Sequence, residues 1–332
     1  MSSTVPRALA APAGLKGVLG APDAATAIVE GLERAGVVTS EAVPVADGGE
    51  GTAAVLAAAL GGEWHGAVVA DPLGRPVEAR WLVLPDGTGV VEAAEAIGLS
   101  RLGPDERDPL RASSRGLGEL IHAALDQRPD ALIICLGGTA TVDGGAGLLE
   151  LLGEFPVPVT AACDVRSPLL GARGAARVFG PQKGAGQAEV EELEQRLASR
   201  LDLAPFARLA GAGAAGGLGA ALAALGAELV WGAELVLEAV GLRERIAGAA
   251  LVVTGEGTVD HTTFEGKAPS AVLGACAQAG VRCALFGGRV VDVPGGVEAH
   301  ALSGAPARAR EDLVALGEWL GAELVAQELG SE

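Results

Sequence analysis

Three lysines occur in this chain, and each touches a glycine: Leu15-Lys16-Gly17, Gln182-Lys183-Gly184 and Gly266-Lys267-Ala268. The other twenty-one basic residues are arginine, so lysine is kept for flexible, glycine-rich positions. A compact ammonium on a long stem suits a point contact to a phosphate or carboxylate in a tight loop. Four loops combine glycine with charge. Residues 46–52 hold Asp47, Gly48, Gly49 and Glu50, and residues 137–147 hold Gly138, Thr139, Asp143, Gly144 and Gly145. Residues 164–183 open on Asp164 and close on Lys183, and residues 254–267 hold Gly255, Glu256, Gly257, Asp260 and Lys267. Glycines let backbone approach an anion, carboxylates can hold Mg2+, and lysines neutralise transferring charge. Together these are the parts of phosphoryl transfer, which works by positioning and electrostatics.

These groups need a scaffold, and the pattern supplies one. Short apolar runs end repeatedly in glycine and alternate with helical stretches. Strands are expected at residues 43–45, 131–136, 159–163, 251–254 and 283–286. Helices are expected at 24–35, with Asp23 as N-cap, and at 52–60, 116–125 and 189–200. Between residues 63 and 91 the texture becomes turn-rich and alternating, which reads as an antiparallel meander. Strand, glycine-rich loop and helix in repetition imply an α/β fold. An open, mostly parallel, Rossmann-like sheet would bind ligands at the carboxyl ends of its strands, and a second α/β domain would contain the meander.

Composition narrows the partners. A net charge of −18 over 332 residues disfavours nucleic acid and anionic membranes. Cys135, Cys163, Cys276 and Cys283 show no paired spacing and the four histidines no zinc pattern, which fits a reducing cytoplasm. The N-terminal apolar stretch is broken by Pro12, Gly14 and Lys16, so export is not expected. The uncharged run at 209–227 is mostly Gly and Ala, and reads as a packed loop and helix rather than a membrane span. Residues 211–216 match G-x-G-x-x-G, but no buried strand precedes them, which leaves a dinucleotide-dependent oxidoreductase as a weak competitor. A P-loop is absent, because Ala268 follows Gly266-Lys267 and no glycine stands five positions earlier. ATP would need another arrangement.

The loops, in this order, resemble the glycerate kinase family in its bacterial type that makes 2-phosphoglycerate. The resemblance is carried by residues 44–52 (PVADGGEGT), Leu136-Gly137-Gly138-Thr139-Ala140, residues 143–147 (DGGAG) and Ala162-Cys163-Asp164-Val165. It continues through Gly180-Pro181-Gln182-Lys183-Gly184-Ala185, residues 211–217, Thr254-Gly255-Glu256-Gly257, Asp260 and Gly266-Lys267. It spans nearly the whole chain. It implies a Mg2+- and ATP-dependent kinase of D-glycerate, a monomer or homodimer in the cytoplasm. The implied domains are 1–60 with 235–332, and 61–234, with the site in the cleft between. Asp47 or Asp143 would orient or deprotonate the acceptor hydroxyl, with Lys267 as the third catalytic group. Asp164, Glu256 and Asp260 would organise metal, and Lys16 and Lys183 would hold phosphate or carboxylate. Gly48, Gly49, Glu50, Gly138, Thr139, Gly144, Gly145, Gly255 and Gly257 would line the bound groups.

The sequence also departs from the family. Ala-Pro-Asp-Ser-Phe-Lys reads Ala11-Pro12-Ala13-Gly14-Leu15-Lys16, the Asn before Asp-Gly-Gly is Val142, and a family Arg and Gln are Thr258 and Thr262. The stretch Thr-Ser-Tyr-Gly-Thr-Gly-Glu is residues 113–119 here (SSRGLGE), and a segment after Leu152-Gly153 is largely missing. The alternative reading is therefore a relative that keeps a ligand but turns over poorly or on another substrate. Arg115 and Arg289 are the candidates to replace the lost substrate contacts.

Overall fold

A computed structural model describes residues 6–329. Its strands, in chain order, are β1 (Arg7–Ala10), β2 (Thr39–Ala42), β3 (Glu63–Ala70), β4 (Pro76–Val83), β5 (Thr88–Glu92) and β6 (Ala131–Leu136). They continue with β7 (Val159–Cys163), β8 (Glu228–Trp231), β9 (Leu251–Val259), β10 (Arg282–Val290) and β11 (Glu298–Ala301). The chain divides into two compact units. The first comprises the residues up to Asp47, Ala54–Ala59 and those from Ala233 onward, and the second Gly48–Ala53 and Leu60–Gly232.

In the first unit five strands run in the order β11-β10-β9-β1-β2, all parallel. Leu251, Val253, Ala284 and Phe286 of the sheet pack with Ile28, Leu32, Leu313 and Leu320 of two helices, Ala21–Arg34 and Ala309–Leu329. With aromatics at 3% of the chain, this core gains density by bringing helix backbones together. A Cβ on Gly31 would lie 2.1 Å from the Val314 carbonyl oxygen, and one on Gly317 2.3 Å from that of Ile28.

The second unit carries a six-stranded sheet in the order β3-β4-β5-β6-β7-β8. Its β3–β5 part is the antiparallel meander, and β5 to β8 pair parallel. Leu132, Ile134 and Ala161 pack with Leu117, Leu120 and Ile121 of the helix Arg115–Asp126 and with Leu218 and Leu222 of the helix Ala214–Ala224. No helix among the described residues is long and apolar enough to cross a membrane.

Three element expectations shift. The strand expected at 43–45 is β2 at Thr39–Ala42. Pro44 and Pro12 lack the N–H donors to extend the ladder with β1, although Val43 and Val45 still donate to the carbonyls of Ala10 and Pro12 at 2.8 and 3.0 Å. The first helix starts at Ala21, with Gly20 in extended backbone as its N-cap. Asp23 lies inside its first turn, where a carboxylate complements the helix dipole. Finally β9 runs on to Val259, because β10 pairs with it as far as Val290, so Gly255-Glu256-Gly257 is strand rather than loop.

Candidate active site

The chain leaves β1 toward β2 on one side of the first sheet, while β9, β10 and β11 build outward on the other. Such a reversal opens a crevice at the carboxyl ends of the strands. A cavity of about 800 Å³ lies there, and Lys16, Glu256, Asp260, Lys267, Arg289 and Asp312 are among its lining residues. Lys16 follows β1, Glu256 sits in β9, and Arg289 is near the end of β10. Lys267 is the N-cap of the helix Ala268–Ala279, so its backbone stands at the positive end of a helix dipole.

Within this wall Lys267 Nζ lies 3.4 and 3.5 Å from the two Glu256 carboxylate oxygens, and the Thr263 hydroxyl donates to Glu256 Oε1 at 2.7 Å. Burial raises the Glu256 pKa, opposed by Thr263 and Lys267, and the negative charge of Asp47 adds to the rise. Asp260 behaves differently. Its Oδ1 accepts from the Thr262 hydroxyl at 2.6 Å and amide at 2.8 Å, which holds the carboxyl below the usual range. Asp260 thus caps the 3-10 turn His261–Glu265 by accepting from Thr262, the residue that stands where the family has Gln. Gly257 faces the Lys16 amide at an ordinary 3.6 Å from a virtual Cβ, but one on Gly255 would lie 2.2 Å from the Phe286 carbonyl oxygen. Packing between strands accounts for Gly255.

Asp47 also belongs to the first unit, and the second holds the remaining predicted groups, in a different state. Lys183 is 3% exposed. Its ammonium donates to the Thr141 carbonyl at 2.7 Å and the Thr139 hydroxyl at 3.1 Å. Burial pushes its pKa down to about 7, partly opposed by the charge of Asp143. It is a pin for the 137–141 loop rather than a solvated cation. Asp143 takes four donors: the Ser114 amide (2.8 Å) and hydroxyl (2.7 Å), and the amides of Gly145 (3.1 Å) and Gly147 (3.3 Å).

The amides of Gly144 and Gly145 are engaged as well, with the Gly216 carbonyl and with Asp143. Both glycines have positive φ, and a Cβ on Gly145 would lie 2.3 Å from that of Ala221. Turn geometry and packing therefore explain them, and their amides do not face a ligand. Gly216 is similar, since its Cβ would lie 2.0 Å from the Thr141 carbonyl oxygen, and turns precede it rather than a strand. The dinucleotide reading of 211–216 thus has no structural support. Val142 is buried with Leu169 and Leu193, which gives the Asn-to-Val departure an apolar setting.

Loops 48–51 and 137–138 touch through backbone, a Gly137 Cβ falling 2.8 Å from Gly49 Cα, and Gly138 adopts φ +66 beside Glu50. One organising residue escaped the sequence. Glu92, 6% exposed, accepts the amides of Ala53 at 2.6 Å and Gly51 at 3.0 Å, shaping the start of the helix Thr52–Leu60 and the loop before it. Burial first, with Glu95 and Glu50 adding, pushes its pKa up to about 7. A lone carboxylate in the apolar run Val90-Val91-Glu92-Ala93-Ala94 was the available signal.

Asp164 directly follows β7, and its charge adds to the burial that raises the Cys163 thiol to about 11. Among the described residues no three His, Cys, Asp or Glu side chains gather as a metal cluster. Glu256 and Asp260 belong to the first unit and Asp164 to the second. Arg115 pairs with Glu119 and Glu150 in the second unit, at 3.1 and 3.5 Å, while Arg289 lines the cavity of the first.

Comparison with known proteins gives a consistent picture. The model of the glycerate kinase family matches residues 8–155 and 154–311. The chain is 39% identical over 306 residues to the glycerate 2-kinase of Escherichia coli K12, covering 79% of this chain and 80% of that one. It is 39% identical over 303 residues to the glycerate kinase of Bacillus subtilis 168, covering 79% of each. A crystal structure described as that of a glycerate kinase 2 from Salmonella typhimurium LT2 superposes with a TM-score of 0.84 at 33% identity, covering 98% of this chain and 100% of that one.

Proposed function

The chain belongs to the glycerate kinase family, a kinase with an alcohol as phosphate acceptor, and from that membership we propose that it carries the terminal phosphoryl group of ATP to the 2-hydroxyl of D-glycerate with Mg2+. The observation that carries this reading is the convergence of Lys16, Lys267, Arg289 and Asp260 on one cavity at the carboxyl edge of a parallel sheet. Its volume, about 800 Å³, is in the range of sites for nucleotide-sized ligands. Lys267, at a helix N-terminus, would follow the charge on the transferring phosphoryl group. Glu256, in contact with Lys267, would position that ammonium.

Mg2+ commonly takes one or two carboxylates and completes its shell with phosphate and water, so a full protein cluster is not required. Asp260 fits this need. It is ionised, faces the cavity and has one oxygen committed to Thr262. Bound there, the ion would neutralise charge on the phosphates. Of the two candidates for the acceptor hydroxyl, Asp47 is favoured, because it belongs to the unit that holds the cavity and its charge acts on Glu256 in the cavity wall, whereas Asp143 accepts its four donors in the other unit. Asp143, Lys183 and Glu92 would then act as positioning residues for the loops around them.

ADP release measured with and without D-glycerate tests the activity. Coupling to enolase reads the product, since only 2-phosphoglycerate feeds that enzyme without a mutase. EDTA should abolish turnover and Mg2+ or Mn2+ restore it, and undiminished turnover in metal-free buffer would remove the metal assignment. A chain that binds ADP yet releases none from ATP in the presence of glycerate would favour the impaired relative to which Thr258 and Val142 point.

A further inference from the structure

Three cations face the cavity of the first unit, and they are not equivalent. Lys267 is partly neutralised by Glu256 at 3.4 Å. Lys16 and Arg289 make no ion pair with any described residue, in a protein where most arginines do. The backbone of Arg289 is also fixed in place. Its Cα partner across the ladder is Thr258 of β9, and the glycine before it allows close approach, a Cβ on Gly288 falling 2.8 Å from the Gly257 carbonyl oxygen. Partners in a parallel ladder project to the same face, so the Arg289 side chain leaves the sheet beside a short threonine on the wall that both line. A planar fork on a sheet, with no carboxylate to occupy it, matches phosphate oxygens two at a time.

We propose that Arg289 is a substrate-contacting residue that grips the polyphosphate of the nucleotide, and that it sets ground-state affinity while Lys267 serves the transition state. This rests on the reading of the cavity as the nucleotide site. A three-carbon acid would fill little of about 800 Å³, which is why the phosphates rather than the acid carboxylate are assigned to it.

The test uses the full chain and calorimetric titration with ADP, inorganic tripolyphosphate and adenosine, beside steady-state kinetics. Arg289→Ala should weaken ADP and tripolyphosphate binding by about tenfold or more, as loss of a charge-assisted contact does, and leave adenosine binding unaffected. KM for ATP should rise by a like factor while KM for glycerate does not follow. Arg289→Lys should recover only part. The double change Thr258→Arg with Arg289→Leu returns a guanidinium across one rung and should recover most of the affinity. Unchanged ADP binding in Arg289→Ala, with normal ADP binding by the parent, overturns this inference and leaves the cavity assignment standing. A rise confined to KM for glycerate also overturns it, moving the contact to the acid. A parent that binds neither ADP nor tripolyphosphate overturns both.

Discussion

Lys267 and Lys183 stand in similar sequence, each next to glycine and within reach of a carboxylate, yet their units use them in opposite ways. In the first unit Lys267 keeps 29% of its side chain exposed on a cavity wall, loosely paired with Glu256. In the second, Lys183 is buried and its ammonium is held by Thr139 and Thr141. The carboxylates divide likewise. Asp260 lines the cavity with an oxygen to spare, whereas Asp143 is saturated and Glu92 is closed over by two amides. A glycine-rich loop with a charge in it is therefore two things: a ligand-facing wall, or a self-satisfied brace. What separates them is whether the surrounding chain supplies hydrogen-bond partners to the charged group.

That contrast can be broken by experiment. The largest effect is expected from Asp47→Asn, which should lower kcat by about a hundred- to ten-thousandfold with little change in KM for ATP, the range for loss of a general base. Activity near that of the parent would return Asp143 to consideration. Lys267→Ala should lower kcat/KM by about a hundredfold while the melting temperature stays near that of the parent, because a loose pair at 3.4 Å on a cavity wall contributes little to folding. A large fall in melting temperature would make Lys267 a brace like Lys183.

The opposite pattern is expected for Asp143→Ala. Removing an acceptor of four donors should cost about 3 kcal/mol in denaturant titration, and activity should fall with stability. Full stability with lost turnover would place Asp143 among the reacting groups.

The smallest effect is a pH dependence. Glu92 has its pKa raised by burial to about 7, so its contribution to stability is fully present below the ordinary carboxylate value of 4.5 and lost as pH rises through about 7. Glu92→Gln lacks that titration, so its stability deficit relative to the parent should be largest near pH 5 and shrink toward pH 8. Lys183, lowered to about 7, has the reverse sign: its contribution is present above its ordinary value of 10.5 and lost as pH falls through about 7. A Lys183→Met variant should therefore compare best with the parent on the acid side. A deficit independent of pH in both variants would mean that neither charge is buried in solution.

Much of this was legible in the chain. The meander at 63–91, the buried strands at 131–136 and 159–163 and the helix at 52–60 lie where alternation and apolar runs put them, because each depends on local periodicity. Gly255 and Gly144 carried the right signal with the wrong cause. Glycine marks a close approach, but sequence does not say whether a phosphate or a neighbouring backbone does the approaching, and here it is Phe286 and the side chain of Leu197. The role of Glu92, as distinct from its odd place in an apolar run, was illegible for a related reason. Its partners, Gly51 and Ala53, are some forty residues away, and backbone amides carry no sequence label.

The sequence by itself determined the α/β alternation, the antiparallel insertion and the set of charged groups available for phosphoryl transfer, since residue type and spacing fix those. Only the tertiary structure decided which charges remain available. It set β10 against β9 so that Arg289 stands beside Thr258, and it brought Ser114, at the start of the helix Arg115–Asp126, against the loop at 139–147 so that Ser114 and two amides claim Asp143. Hydrogen-bond saturation depends on donors brought from distant parts of the chain, and a buried ammonium or carboxylate differs from an exposed one only through what surrounds it.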